Sequence, residues 1–143
     1  RHGLVANLTR TVSHGAPEPA GASALLEVEA DALAATVPGR PLGDVLADIA
    51  SSYARHGLGE DAWLRHHQGG PTGYLGRDPK VMPGERATVH AGQAFAWNPW
   101  IPGAKLEDTG IVDEGAVEVL TIDPAWPTRT VRGLARPATL ELD

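Results

Sequence analysis

Two of the six histidines in this 143-residue chain, His66 and His67, stand side by side, and the next six residues hold three glycines and a proline. Imidazole titrates near neutral pH and serves as general base, general acid or metal ligand. On a strand, neighbouring side chains point to opposite faces, so only one of the two histidines is expected to enter a given pocket. Gly69, Gly70 and Gly73 permit dihedrals that a side chain forbids, and they let backbone approach backbone or ligand closely. A histidine ahead of such a turn sits well at the floor of a cleft. The same composition also makes a plain tight turn with two surface histidines, and the stretch alone leaves both readings open.

The elements that must carry this stretch follow from local pattern. Leu4 to Val12 is apolar and β-branched and reads as a strand ending at Ser13-His14-Gly15. Leu25, Leu26, Val28, Leu33 and Val37 suit a helix over Ala22 to Val37, closed by Pro38-Gly39. A second helix runs from Leu42 or Asp44 to about His56, with Val45, Leu46, Ile49 and Tyr53 on one face and Gly57 at the C-terminal cap position. Arg77 to Glu85 is a polar loop. Then come strands: Phe95 to Trp97 before an Asn98-Pro99 turn, Ala104 to Val112, a hairpin turn at Asp113-Glu114-Gly115, and Val117 to Ile122. A Pro- and Arg-rich tail starts at Asp123, with a last apolar run from Thr139 to Leu142. The order strand, two helices, strands is an α+β architecture in one domain.

Composition narrows the function. Hydrophobic content of 42% and charged content of 21% are ordinary for a globular domain. The net charge of −6 is spread along the chain, so no nucleic-acid partner is expected. No apolar run reaches membrane-spanning length, and no cysteine is present for disulfide or thiolate chemistry. The expectation is a cytoplasmic protein with no membrane partner. Arg1 opens directly into an apolar run, which reads as a piece of something longer.

Four segments then combine. Asn7-Leu8-Thr9-Arg10-Thr11 lies in the first strand and His67-Gln68-Gly69-Gly70 follows the second helix. Ala96-Trp97-Asn98-Pro99 precedes a turn, and Lys105-Leu106-Glu107-Asp108-Thr109 follows it. In this order, with two helices between the first and second, they resemble the pita-bread metallopeptidase family of methionine aminopeptidase, Xaa-Pro aminopeptidase, prolidase and creatinase. Val117 to Thr121 is similar to that family's last strand. The resemblance implies that residues 1–143 are the later part of one pita-bread catalytic domain whose earlier part is not in this chain. It makes the remainder of that domain a partner, and since many relatives are dimers it raises a homodimer as well.

The family holds two divalent metals with two aspartates, one histidine and two glutamates, and the metals activate water and polarise the scissile carbonyl. By resemblance, His67 matches the histidine and Glu107 the last glutamate, while Asn7 and Asn98 replace an aspartate and a glutamate. An amide oxygen ligates a hard cation but carries no charge and cannot bridge two metals. Losing one such charge contact at about 4 Å and an effective dielectric near 20 costs about 4 kcal/mol. The expectation is therefore no cofactor, or at most one weakly held divalent ion (Mn, Zn, Co or Fe) between His67 and Glu107.

Creatinase, which cleaves a C–N bond without metal, is the family precedent for a hydrolase with such a cleft. His67 and Glu107 are then the catalytic pair, with His66 in reserve. His66, Gln68, Gly69, Gly70, Asn7, Asn98 and Trp97 line the site for a small-molecule or peptide substrate. Thr72 and Tyr74 add hydrogen-bond donors, and Trp97 and Trp100 flank Asn98 as an aromatic wall. Against these stand ordinary alternatives: core tryptophans, turn asparagines and a solvated Glu107-Asp108 pair. His2, His14, His56 and His90 are expected at the surface without a role. Beside a metal-free or single-metal hydrolase of the Xaa-Pro aminopeptidase and creatinase type stands a second expectation, an inactive family member used for binding or assembly.

Overall fold

Alternation along three short strands sets the centre of the structure, a computed structural model that describes residues 2–142. After β1 (Val12–His14), β2 (Gly69–Thr72) pairs antiparallel with β3 (Ala94–Trp97). Two short strands, β4 (Trp100–Ile101) and β5 (Ala104–Lys105), form a separate hairpin. Then β6 (Asp108–Asp113) pairs with β3, and β7 (Ala116–Val119) returns beside β6 to complete a four-stranded antiparallel sheet ordered β2-β3-β6-β7. Phe95, Trp97 and Val112 share one face of this sheet, as a two-residue period requires. They pack with α1 (Ala22–Ala35) and α2 (Leu42–Arg55) through Leu25, Val28, Val45, Ile49 and Tyr53. The helices thus cover one face of the sheet, and the opposite face is left for the candidate site.

Three expectations change. Leu4 to Thr11 is extended but forms no ladder, and the strand proper covers only Val12–His14, paired parallel with β10 (Leu140–Leu142). Thr9 N–H reaches Glu107 O at 2.8 Å, and Asn7 N–H donates to the Thr109 hydroxyl rather than to a backbone carbonyl, so side chains interrupt the ladder. The single strand expected over Ala104 to Val112 is broken at Leu106-Glu107, where the chain passes from the β4-β5 hairpin to the main sheet. The tail also holds an unforeseen hairpin, β8 (Thr128–Val131) and β9 (Leu134–Pro137). Its turn residues Arg132 and Gly133 both have positive φ, as do Glu114 and Gly115 in the expected hairpin, the requirement of a two-residue turn that matches strand twist.

A charged group lies buried between helix and sheet. Arg136 on β9 donates from Nε to Glu29 Oε2 of α1 at 2.8 Å and from Nη2 to Asp108 Oδ2 at 2.9 Å. Asp108 Oδ1 in turn accepts from Arg10 at 2.8 Å, so two cations face two carboxylates. Burial pushes the Glu29 carboxyl above its ordinary range, against the pull of Arg136. Asp108 is therefore no solvated partner of Glu107 but a tie between the hairpin, α1 and the first segment. His56 also departs from the surface role expected of it, with Nε2 3.0 Å from Asp31 Oδ2. Breaking a buried pair strands the remaining charges, so Arg136→Met in the complete protein should lose about 3–5 kcal/mol in urea unfolding. A loss below about 1 kcal/mol would mean that Glu29 and Asp108 find water instead.

Candidate functional site

Strand register assembles the site. Gly69 faces Trp97, which faces Asp108. One step further along, Gln68, Asn98 and Glu107 fall in a single cross-strand row, and Asn98 N–H donates to Gln68 O at 2.9 Å. Because Trp97 and Asp108 turn toward the helices, alternation turns Asn98 and Glu107 the other way. Asn7 joins that face through Thr109, whose hydroxyl donates to Asn7 O at 2.9 Å, and through Thr72, whose hydroxyl accepts from Asn7 Nδ2 at 2.9 Å. Asn7, distant in sequence, thus shares with Asn98 and Glu107 the face away from the helices.

The two histidines do not divide between opposite faces. Their rings stack at 4.5 Å between centroids, and Trp100 extends the stack with its ring 6.2 Å from His66. The alternation rule fails because His66 precedes the ladder, after a 3₁₀ turn at Ala62–Arg65. There the Gln68 side chain, donating to Trp63 O at 2.8 Å and His66 O at 2.7 Å, gathers the chain into a bend. Both histidines line a cavity of about 330 Å³, walled by Trp63, Leu64, Val81 and Met82 with Lys80 beside them. Asn98 Nδ2 approaches His67 Nε2 at 3.5 Å, the outer limit of a hydrogen bond. Burial, then the charges of His66, Lys80, Arg77 and Lys105, lower the His67 pKa to about 4, so the ring is neutral at pH 7.

Several residues expected to line the pocket do other work. Trp97 is 1% exposed, stacks on Phe95 and donates from Nε1 to Thr36 Oγ1 at 2.8 Å, which makes it core. Trp100 meets the histidine pair only through the His66 ring and itself lines a separate pocket with Leu58, Asp61 and Arg65. Gln68 does line the cavity of the two histidines, but its amide is spent within the chain: both hydrogens go to backbone carbonyls, and its Oε1 lies 3.0 Å from the Tyr53 hydroxyl. That buried hydroxyl also accepts from Trp100 N–H at 2.8 Å, and burial pushes its pKa up to about 12. The glycines serve backbone packing: a Cβ on Gly69 would lie 2.2 Å from Ala96 O, and one on Gly70 2.7 Å from Pro79 O. Thr72 is engaged by Asn7, and Tyr74 is exposed.

Glu107 is buried, and both its oxygens are engaged by cations. Oε1 accepts from Arg77 Nη2, and Oε2 accepts from Lys105 Nζ at 2.8 Å and from the Thr9 hydroxyl at 3.1 Å. Burial opposes the charged form, but the bonds from Lys105 and Arg77 outweigh it and hold the carboxyl below its ordinary value. The four positions that the resemblance assigns as ligands, Asn7, His67, Asn98 and Glu107, offer two carboxamides, one imidazole and one carboxylate already bonded to two cations. That donor set does not fit a pair of divalent ions, which need several charged oxygens free to bridge. Among the described residues, no three His, Cys, Asp or Glu side chains are grouped to hold a metal ion.

The sequence reading missed Arg77, Lys80 and Lys105. A signal was present in the composition, since Lys80 and Lys105 are the only two lysines of the chain. Five buried side-chain polar atoms lack a partner among the described residues, and four of them belong here: His66 Nδ1, His67 Nδ1, Asn98 Oδ1 and Arg77 Nε. Buried polar groups are nearly always paired, so this concentration singles the place out as a candidate for bound water or a ligand.

Comparison with known proteins agrees with the geometry. The fold is shared with a dipeptidase from Pyrococcus horikoshii (TM-score 0.74, 23% identity, 98% of this chain and 38% of that one). It is shared also with an X-Pro aminopeptidase from Thermotoga maritima (TM-score 0.73, 18% identity, 98% and 38%). The N-terminal domain of the FACT complex subunit SPT16 from chickpea matches at TM-score 0.61 and 16% identity, over 80% of this chain and 32% of that one. The chain thus has the pita-bread fold and spans little more than a third of the length of the peptidases it matches. No helix among the described residues is long and apolar enough to cross a membrane. No curated protein sequence matches the chain. The model of metallopeptidase family M24 matches residues 1–114, four-fifths of the sequence, and the chain belongs to that family.

Proposed function

We propose that this chain forms the later part of the cleft of a peptidase-like hydrolase acting on an amide-type C–N bond of a small substrate or short peptide, without the family's metal pair. The four unpartnered polar atoms of His66, His67, Asn98 and Arg77 are the observation that carries this reading. An amide presents one N–H donor and one carbonyl acceptor. Asn98 Oδ1 and an unprotonated imidazole nitrogen suit the donor, and Arg77 Nε suits the carbonyl oxygen. The cavity of about 330 Å³ beside them is large enough for one side chain or small ring, and its Trp63, Leu64, Val81 and Met82 walls favour an apolar one.

His67 is the base in this proposal. Its neutral form takes up a proton from the attacking water and passes it to the leaving nitrogen as the C–N bond breaks, and His66, stacked on it, limits how far the ring can turn. Glu107 does not meet the substrate directly. It acts as a positioning residue by holding Arg77 and Lys105. The earlier part of the domain supplies the rest of the cleft, and the expected compartment is the cytoplasm.

A second reading has an observation of its own. Gln68, Glu107 and Asn7 are all engaged within the chain, as in a cleft kept for shape. The relative from the FACT complex belongs to an assembly subunit. A binding module of this kind would retain its ligand and show no turnover.

Two measurements test the proposal. In the complete protein, His67→Ala should abolish amide hydrolysis in a screen of small amides and dipeptides, whereas unchanged turnover removes His67 from the chemistry. His67 should also titrate by NMR near 4 instead of 6.5. Because the folded value lies below the unfolded one, the stability tied to neutral His67 is full above pH 6.5. It is lost as the pH falls from 6.5 toward 4. His67→Asn should flatten that part of the unfolding profile, and an unaltered slope would place the proton elsewhere.

A further inference from the structure

We propose that Arg77 and Lys105 are resident cations of this cleft: at Glu107 they take the place that divalent ions take in metallopeptidases, and they keep such ions out. The inference rests on the metal-free reading of the cleft and goes one step further, assigning the cause to two named side chains.

The geometry is that of a filled site. A carboxylate offers a metal pair one oxygen for each ion, and here each oxygen of Glu107 has its own cation, Arg77 on Oε1 and Lys105 on Oε2. Arg77 is held firmly. Its side chain is 10% exposed, and Nη1 donates to Gly76 O while Nη2 serves Glu107. Lys105 is 32% exposed and is fixed from the other side by the β4-β5 hairpin on which it sits. Lys80, the other lysine of the chain, lies in the wall of the cavity that holds His67. Three positive side chains and one carboxylate therefore share this end of the sheet. The two remaining ligand positions are the uncharged Asn7 and Asn98, so Glu107 is the one carboxylate among the four positions to face an added double charge.

A divalent ion brought to Glu107 would meet the guanidinium and the ammonium at close range. Repulsion from two like charges at such distances lowers its affinity by about 100-fold or more, even with the solvent screening that the partly exposed Lys105 admits. Arg77 and Lys105 also leave hydrogens unused, at Arg77 Nε and on the Lys105 ammonium, so the partner this group accepts is an electron-rich oxygen and not a cation.

The test uses the complete protein, prepared without chelator, with Mn²⁺ as the probe in calorimetry and elemental analysis. The unaltered protein should take up no stoichiometric metal. Two variants are then compared, Asn7→Asp/Asn98→Glu alone and the same pair combined with Arg77→Ala/Lys105→Ala. The combined variant should bind Mn²⁺ about 100-fold more tightly than the first. Equal affinity in the two would overturn this inference and leave the proposed function standing, because the cations would then be no barrier. Two ions bound by the unaltered protein would overturn both. Should the combined variant fail to fold, Arg77→Met alone is read by the same titration: a gain of about tenfold supports the inference, and no gain overturns it.

Discussion

The register of β2 against β3 and of β3 against β6 is the constraint from which the site follows. A shift of one residue would carry Asn98 and Glu107 to the helix side and Trp97 to the open face. Such a slip would bury an unpaired carboxylate and expose the indole that anchors to Thr36. The register is held by close packing, since Gly69 and Gly70 sit where any Cβ would strike the backbone of Ala96 or Pro79. Their role is to let strands and loop approach each other. The open face owes its shape to that approach.

Charge is sorted across the same sheet. On the helix side, Arg136, Glu29, Asp108 and Arg10 form a balanced group, two positive and two negative. On the open side, Arg77, Lys80 and Lys105 outnumber Glu107. Adjacent residues Glu107 and Asp108 thus belong to different electrostatic worlds, one turned into a structural tie and the other into the cleft. Burial first, and then three positive charges against one negative, lower the His67 pKa, and the same surplus of positive charge is what the proposed exclusion of metal ions rests on. A cleft of this family can keep its fold while its electrostatic sign changes, because strand packing sets the first and a few side chains set the second.

Much of the frame is local and was legible early. Both helices, the Glu114-Gly115 turn and β3 follow from apolar spacing, glycine and proline, which act within a few residues. Family membership was legible for a related reason, since four short motifs in fixed order carry the resemblance together. The β8-β9 hairpin escaped notice because its Arg132-Gly133 turn lies in a segment whose prolines and arginines masked the alternation. Leu4 to Thr11 misled in the opposite way: its β-branched pattern is that of a strand, but Thr109 and Glu107 take up its hydrogen bonds singly.

What the sequence determined by itself was a set of candidates for chemistry: His66, His67, Glu107, and Asn7 and Asn98, which by resemblance stand where carboxylates would. Their types fix available charge and proton capacity, and no fold alters that count. Only tertiary structure decided what each one faces. It drew Arg77 from a loop and Lys105 from a hairpin onto one carboxylate, sent Trp97 into the core and brought both histidines to one cavity. Lys105 stands only two residues from Glu107, but the places of Arg77 and Trp97 depend on contacts between distant residues, 30 positions apart for Arg77 and Glu107 and 61 for Trp97 and Thr36. Local spacing holds no information about such pairs, because they are settled by how sheet, helices and loops pack together.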